Sequence, residues 1–264
     1  QKALLQKLVK PFILRRKKAE VLLDLPEKIE EISYLDLSIE QKKLYKEVTK
    51  DQAQKILTGL EKNSKVPYMH IFSLLSNLKQ ICDHPSLFYK DIKSYENYES
   101  GKWEFFKELI DEARASKQKV VVFSQYLGML SIIENYLKKQ KIGFTSIKGS
   151  TKNRKEPLER FRNDPKCEVF VASLLAAGVG IDLSSASIVI QYDRWWNPAK
   201  EDQATDRVHR IGQNRGVQVF KLVSKNTIEE HIHQMIDSKK NLIESSIGKD
   251  DSDQIRILSR KELM

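Results

Sequence analysis

The chain has 264 residues, and its 46 Lys and Arg against 36 Asp and Glu leave a formal net charge of +10, with a pI near 9.3. This is enough chain for one or two domains with a core that needs no metal or disulfide staple, and no apolar run reaches the roughly 18 to 20 residues of a membrane span. The basic, amphipathic opening QKALLQKLVKPFILRRKKAE lacks the apolar region and cleavage site of a signal peptide, and Cys82 and Cys167, with no CxxC spacing, argue against a disulfide scaffold or a zinc site and fit a reducing compartment.

In chain order, residues 1–28 carry the basic cluster Arg15-Arg16-Lys17-Lys18, and Pro26 ends a helix because the residue before a proline is pushed out of the α region. Glu31 to Leu37 alternates and reads as a short strand. Ser38 with Gln41 three residues on forms a capping box that opens a helix to about Leu57, with Leu44, Tyr45 and Val48 on its apolar face. Residues 67–82 form a second helix through Ile71, Leu74, Leu75, Leu78 and Ile81, stopped by Asp83-His84-Pro85. Residues 89–100 are polar and aperiodic and read as a linker.

From Gly101 the pattern changes. Helix 102–115, strand 119–123, helix 127–139, strand 142–147, helix 154–163, strands 168–173 and 187–192, helix 198–210, strand 217–223 and helix 227–245 follow one another. Strands alternating with helices of this length predict an α/β fold with a parallel sheet covered by helices on both faces. The runs Val120-Val121-Val122-Phe123 and Val169-Phe170-Val171-Ala172 are continuous rather than alternating, as strands buried on both sides require. The tail 248–264 is charged. The basic balance points to an anionic partner, nucleic acid in the first place, with a soluble Lys- and Glu-rich surface as the alternative.

The stretch from Val169 to Gln213 carries most of the chemistry. Leu174 to Gly180 is a turn of small residues and glycines after a buried strand, which lets backbone approach a ligand at the carboxyl end of the sheet; an ordinary tight turn has the same composition. Arg207 and Arg210, three apart on the expected helix, share one face and suit contact with a transferring phosphoryl group or a solvated helix surface, and Gln203 lies one turn before them. Trp195 and Trp196 before Asn197-Pro198 point to packing or a partner surface. His231 and His233 diverge at i, i+2, so no metal site is expected there; His84, His209 and Cys167 read as structural.

Taken together these segments resemble the second motor lobe of SWI/SNF-type DNA-dependent ATPases of the superfamily-two helicases. Ala176 to Leu183 resembles motif V, Asp193 to Pro198 the family's D-x-x-W-N-P segment, and Gln203 to Gln213 (QATDRVHRIGQ) motif VI. Phe12 to Lys17 with Leu25-Pro26-Glu27-Lys28, Leu78 to Pro85, Ser100-Gly101-Lys102, Val121 to Tyr126 (motif IV) and Thr227-Ile228-Glu229-Glu230 extend the likeness to about Gly248. The resemblance implies a RecA-like lobe over 101–247, preceded by a lead-in segment and helical protrusion over 1–100 and followed by a tail over 248–264. It makes Arg207 and Arg210 arginine fingers, and Gly178, Gly180, Asp182 and Gln203 part of the ATP site. Ser124, Gln125, Lys148, Gly149, Ser150 and Ser173 would line the channel for double-stranded DNA. Ala177 and Asp182 depart from the family's usual Gly and Asn.

No G-x-x-x-x-G-K-[ST] loop and no D-E-x-H box occurs, and Gly101-Lys102-Trp103 is not a P-loop. The resemblance therefore implies that ATP with Mg²⁺ is held mainly by a separate N-terminal RecA-like lobe, and the start at Gln1 reads as a piece of something longer. This chain alone is expected to be inactive as an ATPase. The partners implied are duplex DNA, that N-terminal lobe and a DNA-bound protein complex, in the cytoplasm with the nucleoid or in the nucleus, with no membrane and no metal ligands. The rival readings are an RNA helicase lobe and a non-catalytic nucleic-acid-binding module.

Overall fold

A computed structural model describes residues 24–62, 68–176 and 180–248. The chain divides into two compact units. The first, Leu25–Ile236, holds a six-stranded sheet in the order β1-β6-β5-β2-β4-β3, every pair of which is parallel. Its strands are β1 (Lys28–Leu35), β2 (Val120–Ser124), β3 (Phe144–Ile147), β4 (Val169–Ser173), β5 (Ile188–Gln191) and β6 (Val217–Ser224). Its helices are α1 (Ile39–Lys62), α2 (Tyr68–Asp83), α3 (Pro85–Phe88), α4 (Gly101–Ala115), α5 (Leu127–Lys139), α6 (Lys155–Asn163), α7 (Pro198–Thr205) and the start of α8 (Ile228–Gly248). Of the second unit, Gln1–Asp24 with Asp237–Met264, the described part is Asp24 and the end of α8. The helix expected before Pro26, the basic cluster at Arg15 and the tail after Gly248 lie outside the described residues.

Both faces of the sheet are covered. Val120, Val122, Val169, Val171, Ile188 and Ile190 pack with Phe106 and Ile110 of α4 and Met129, Ile133 and Leu137 of α5. The alternate residues Val121, Phe123, Phe170, Val189 and Val219 pack with Phe161 of α6, Ala204 of α7 and Val208. This is why the strand runs are continuous: each side chain of period two has a hydrophobic layer to enter. Truncating a side chain such as Phe106, whose ring lies among Trp103, Tyr136 and Tyr192, costs roughly 3 to 5 kcal/mol.

The strand read from sequence as lying in a segment before the lobe is the edge strand β1, paired along its whole length with β6 from Lys28↔Val217 to Leu35↔Ser224. A partly buried salt link joins the two strands. Lys221 of β6 bonds Glu30 of β1, and Lys28 reaches the other oxygen of Glu30 at 2.6 Å. Burial pushes the Glu30 carboxyl up, but these two lysines prevail and hold it down at about 2.

The capping box at Ser38 forms: its N–H donates to Gln41 Oε1 at 3.0 Å, and the Gln41 N–H donates back to Ser38 Oγ at 3.1 Å. Gln41 does more than cap. Fully buried, it donates from Nε2 to the Ile81 carbonyl at 2.8 Å and accepts the Gly101 N–H on Oε1 at 3.1 Å, so one amide ties together the start of α1, the end of α2 and the start of α4. Gly101 has to be glycine at that junction, because a Cβ would stand 2.0 Å from the Asp36 carbonyl oxygen.

Two expectations fail. Residues 89–100 are not a loose linker: a 3₁₀ turn at Tyr95–Asn97 buries Tyr95 against Trp103, with ring centroids 5.7 Å apart. Aromatic packing orders this polar stretch without giving it a period. The helix expected over 198–210 ends at Thr205. After it the backbone tightens to bonds three residues apart, Arg207 N–H to the Ala204 carbonyl and Val208 N–H to the Thr205 carbonyl.

Candidate nucleotide and nucleic-acid interface

Because β2, β4 and β3 are parallel neighbours, their C-terminal ends fall on one edge, with Ser124 and Ser173 partners in register. Motif IV leaves the sheet at Ser124 and the turn of small residues leaves it at Ser173. Lys148, Gly149 and Ser150 follow β3. All six residues expected to face DNA are therefore gathered at this edge. They differ in exposure: Gly149 and Ser150 are exposed, Gln125 and Lys148 are half-buried, and Ser124 and Ser173 are buried. The Ser124 hydroxyl bonds the Asp193 carboxylate, and Ser173 Oγ accepts the Ala176 N–H at 3.3 Å. Lys148 Nζ is 2.7 Å from Glu134 Oε2, and the Lys148 N–H donates to Thr151 Oγ1 at 3.0 Å.

Asp193 organises the neighbouring end of β5. It accepts from Ser124, from the Gln125 N–H and, at 2.8 Å, from Gln125 Nε2. Burial raises its pKa, against the pull of the nearby Lys79 ammonium and its hydrogen bonds. Lys79 of α2 donates to the Arg194 carbonyl at 2.6 Å and lies 5.9 Å from the ring centroids of both Tyr126 and Trp196. The Arg194 side chain is buried as well, donating to Glu201 Oε1 at 3.1 Å and to His233 Nδ1 at 2.6 Å. Trp195 N–H donates to the same Glu201 oxygen at 2.6 Å. The D-x-x-W-N-P segment is thus held from α2, α7 and α8 at once.

A second buried charge group sits beside it. Lys102 Nζ lies 2.8 Å from Asp83 Oδ1 and 2.7 Å from Glu229 Oε2, and all three side chains are inaccessible to solvent. Burial lifts Asp83 above the usual carboxylate range despite Lys102, while the two carboxylates outweigh burial at Lys102 and hold its ammonium charged. Neither charge group was singled out from sequence. Their residues fall inside the segments that carry the family resemblance, and the local signal is a charged residue set directly against a buried run, as in Cys82-Asp83 and Asp193-Arg194.

The residues expected to face ATP lie along two segments. In the first, Gly178 and Ala177 fall outside the described residues. Gly180 is exposed, with φ +49° and open space where a Cβ would stand. Asp182 Oδ2 bonds Arg162 Nη2 at 2.8 Å, and Oδ1 accepts the Ser184 N–H at 3.1 Å. Burial pushes this carboxyl up, but the Ser184 bonds and the charges of Arg162 and Arg210 bring it below the ordinary value.

In the second segment Asn197 caps α7 by accepting the Ala199 N–H at 3.1 Å, with Pro198 at the first helical position. Gln191 Nε2 donates to Thr205 Oγ1 at 3.0 Å and fixes the end of that helix. Arg207 and Arg210 follow on the turns, not on one helix face as the spacing suggested. Val208 between them is fully buried. The Arg207 carbonyl accepts the Leu183 N–H at 3.0 Å, and Gln213 Nε2 donates to the Ala186 carbonyl at 2.8 Å. The turn that carries the arginines is therefore pinned to the strand-connecting loop that carries Asp182. Gln203, Arg207 and Arg210 are half-buried.

The histidines and the second cysteine have internal partners. His209 Nε2 donates to the Pro26 carbonyl at 2.8 Å, His84 Nδ1 accepts the Ser86 N–H at the start of α3, and Cys167 is buried in the second hydrophobic layer. Among the described residues no group of three or more His, Cys, Asp or Glu side chains is placed to hold a metal ion, and no helix is long and apolar enough to cross a membrane.

The helicase conserved C-terminal domain family matches residues 101–212, and the SNF2-related domain family matches residues 1–87. A putative ATP-dependent helicase/translocase of Bacillus subtilis, YwqA, is 40% identical over 267 residues, covering 98% of this chain and 28% of that protein. This chain spans about a quarter of the length of such relatives. The core of the Sulfolobus solfataricus SWI2/SNF2 ATPase in complex with dsDNA superposes with a TM-score of 0.69 at 38% identity, over 93% of this chain and 52% of that one. The C-terminal domain of the same ATPase superposes with a TM-score of 0.67 at 32% identity, over 85% of this chain and 92% of that one. With the parallel sheet, the motif order and nine-tenths of a solved C-terminal domain matched in this way, the chain belongs to the SWI2/SNF2 ATPase family, as its C-terminal helicase-type lobe.

Proposed function

We propose that this chain is the second motor lobe of an ATP-driven translocase on double-stranded DNA, supplying arginine fingers and one half of the DNA groove. The observation that carries the reading is positional. The six DNA-side residues gather on the C-terminal edge of the adjacent strands β2, β4 and β3, the edge at which open parallel sheets bind ligands. The related Sulfolobus solfataricus core, solved in complex with dsDNA, supports the same reading. Gln125, Lys148, Gly149 and Ser150 touch phosphates and position the duplex without reading its sequence; Lys148 exchanges Glu134 for a phosphate when it does so. Ser124 and Ser173, being buried, act by fixing the loops that carry the others.

The residues on the nucleotide side fit a phosphate-bearing ligand. Arg207 and Arg210 are pinned by backbone bonds yet half-exposed, and Gly180 leaves open space beside Asp182. ATP supplies the γ-phosphoryl group whose transfer to water drives movement. The part of this chain is to bring Arg207 and Arg210 against the charge that develops on that group, with Gly178, Gly180, Asp182 and Gln203 shaping the approach. The described residues offer no ligand set for Mg²⁺, which is assigned with the triphosphate to an N-terminal RecA-like lobe. Residues 1–100 then form the lead-in and helical protrusion, 101–247 the lobe proper, with β1 lent to its sheet from the lead-in, and 248–264 the tail. The full protein works inside the cell, at the nucleoid or in the nucleus, on a DNA-bound protein complex.

The test is ATP hydrolysis by the full-length protein with and without duplex DNA, comparing wild type with Arg210→Ala. The expected result is stimulation of wild type by DNA and a fall of roughly 10³ in kcat for the variant, with DNA binding retained and no turnover by this chain alone. A variant that keeps its rate would reduce the role of this lobe to DNA binding.

A further inference from the structure

The opposite edge of the sheet, where the strands begin, holds a cavity of about 640 Å³. Its lining is one-sided in charge. Arg114, Lys117, Lys119, Arg162 and Arg215 face it against a single carboxylate, Glu168. Arg207 and Arg210 do not line it, and the DNA-side residues lie at the other ends of the same strands. The proposed motor reading meets this cluster only through Arg162, which pairs with Asp182.

The cations are only partly neutralised. Arg114 Nε takes up Glu168 at 3.0 Å. Lys119 Nζ donates to the carbonyls of Phe161 and Asp164, and the Asp164 carboxylate offsets its charge only in part, without a direct ion pair. Arg162 holds Asp182 through Nη2, and its fork has further N–H groups. Lys117 and Arg215 make no side-chain ion pair or hydrogen bond among the described residues. The site is also set rigidly. Gln213, buried, accepts the N–H groups of Asn214 and Arg215 on Oε1, each at 3.0 Å, while its Nε2 is anchored to the Ala186 and Val208 carbonyls. Lys117 follows α4 in a tight turn closed by the bonds Lys117 N–H to the Arg114 carbonyl and Gln118 N–H to the Ala113 carbonyl.

We propose that this cavity is a binding site for a chain of phosphate groups, either a free oligophosphate or the phosphodiester backbone of a single nucleic-acid strand. Arginine forks and lysine ammonium groups together match phosphate oxygens. The lining contains no aromatic ring on which a base could stack, so recognition is of the phosphates. The volume falls in the range of small-ligand sites, about 300 to 1,000 Å³. Burial holds the Lys119 ammonium below its ordinary pKa, and a phosphate beside it reverses that cost.

The probe is inorganic tripolyphosphate, titrated by calorimetry at low salt into wild type, Lys117→Glu/Arg215→Glu and Lys43→Glu/Lys46→Glu. The second double variant makes the same charge change on the exposed side of α1. The expected result is an affinity loss of at least about tenfold for the cavity variant and little loss for the control, with Lys117→Ser/Arg215→Ser falling between wild type and the charge reversal. A labelled thymidine oligonucleotide added in competition separates the sources: displacement of tripolyphosphate identifies a nucleic-acid backbone, and no displacement identifies a free oligophosphate. Failure of wild type to bind tripolyphosphate, or equal losses in both charge reversals, overturns the proposal.

Discussion

Arg194 and Arg210 come from neighbouring stretches of one sequence and live in opposite surroundings. Arg194 is 1% exposed, clamped between Glu201 and His233. Arg210 is half-buried on a turn, and its charge reaches Asp182 from the surface. The same contrast divides the molecule's polar groups as a whole. The interior set, Lys102 with Asp83 and Glu229, and Asp193 with Ser124, is closed off from water and joins α2, α4, α8 and the ends of β2 and β5. The surface set, Lys148 to Ser150 after β3 and Arg207 with Arg210 beyond α7, is half-buried or exposed and is carried on turns held by backbone bonds. Charge alone therefore says nothing about role; the difference lies in how far each group is withdrawn from water.

The comparison breaks most readily at Lys102. Replacing it with Met keeps the length of the side chain and leaves Asp83 and Glu229 buried without their cation, and removing one partner of such a group costs roughly 3 to 5 kcal/mol. Urea unfolding of Lys102→Met measures it. A loss below about 1 kcal/mol would mean that the interior set is not what holds α2 and α8 to the sheet.

Much of the fold could be read from the one-dimensional pattern, because its causes are local. The runs at Val120 and Val169 require burial on both faces, and the pair Ser38 and Gln41 marks a helix start by its spacing. Helix 127–139 falls where its apolar period puts it. The interior charges could not be read in this way. Asp83 and Lys102 are separated by 19 residues and Lys102 and Glu229 by 127, and no periodicity links positions that meet only after the chain folds. The candidate site fell between these cases. Its motifs were legible as strings, but the end of α7 at Thr205 depends on Gln191 of β5, so the side-by-side placement of Arg207 and Arg210 on a helix was wrong although the residues themselves sit together on one turn.

A smaller effect sharpens the interior side by pH. His84 caps α3 through Nδ1, and burial depresses its pKa from 6.5 to about 4. A base with a lowered folded pKa binds its proton more readily unfolded, so its contribution is intact above pH 6.5 and is lost as pH falls from 6.5 toward 4. Asp83 and Asp193, raised by burial, act with the opposite sign on acidification, so the total curve mixes the two. Comparing wild type with His84→Asn isolates the histidine, since asparagine also caps. The expected result is that wild type loses about 2 to 3 kcal/mol relative to the variant between pH 7 and 4. A difference that does not change with pH would mean that His84 protonates without cost.

The smallest expected effect is the most informative about the surface set. Arg210→Ala removes a half-exposed guanidinium whose interaction with Asp182 is screened by water and shared with Arg162. Its cost in unfolding free energy is expected to stay under about 1 kcal/mol, although the same substitution is expected to lower DNA-stimulated hydrolysis by the full-length protein roughly 10³-fold. Lys102→Met is the mirror case, costly in stability with no phosphate to touch. Thermal unfolding of the two variants side by side decides the matter. If Arg210→Ala lowers the melting temperature as far as Lys102→Met, Arg210 belongs to the interior set after all, and any loss of hydrolysis in that variant reflects a loosened turn rather than a missing charge on the transferring phosphoryl group.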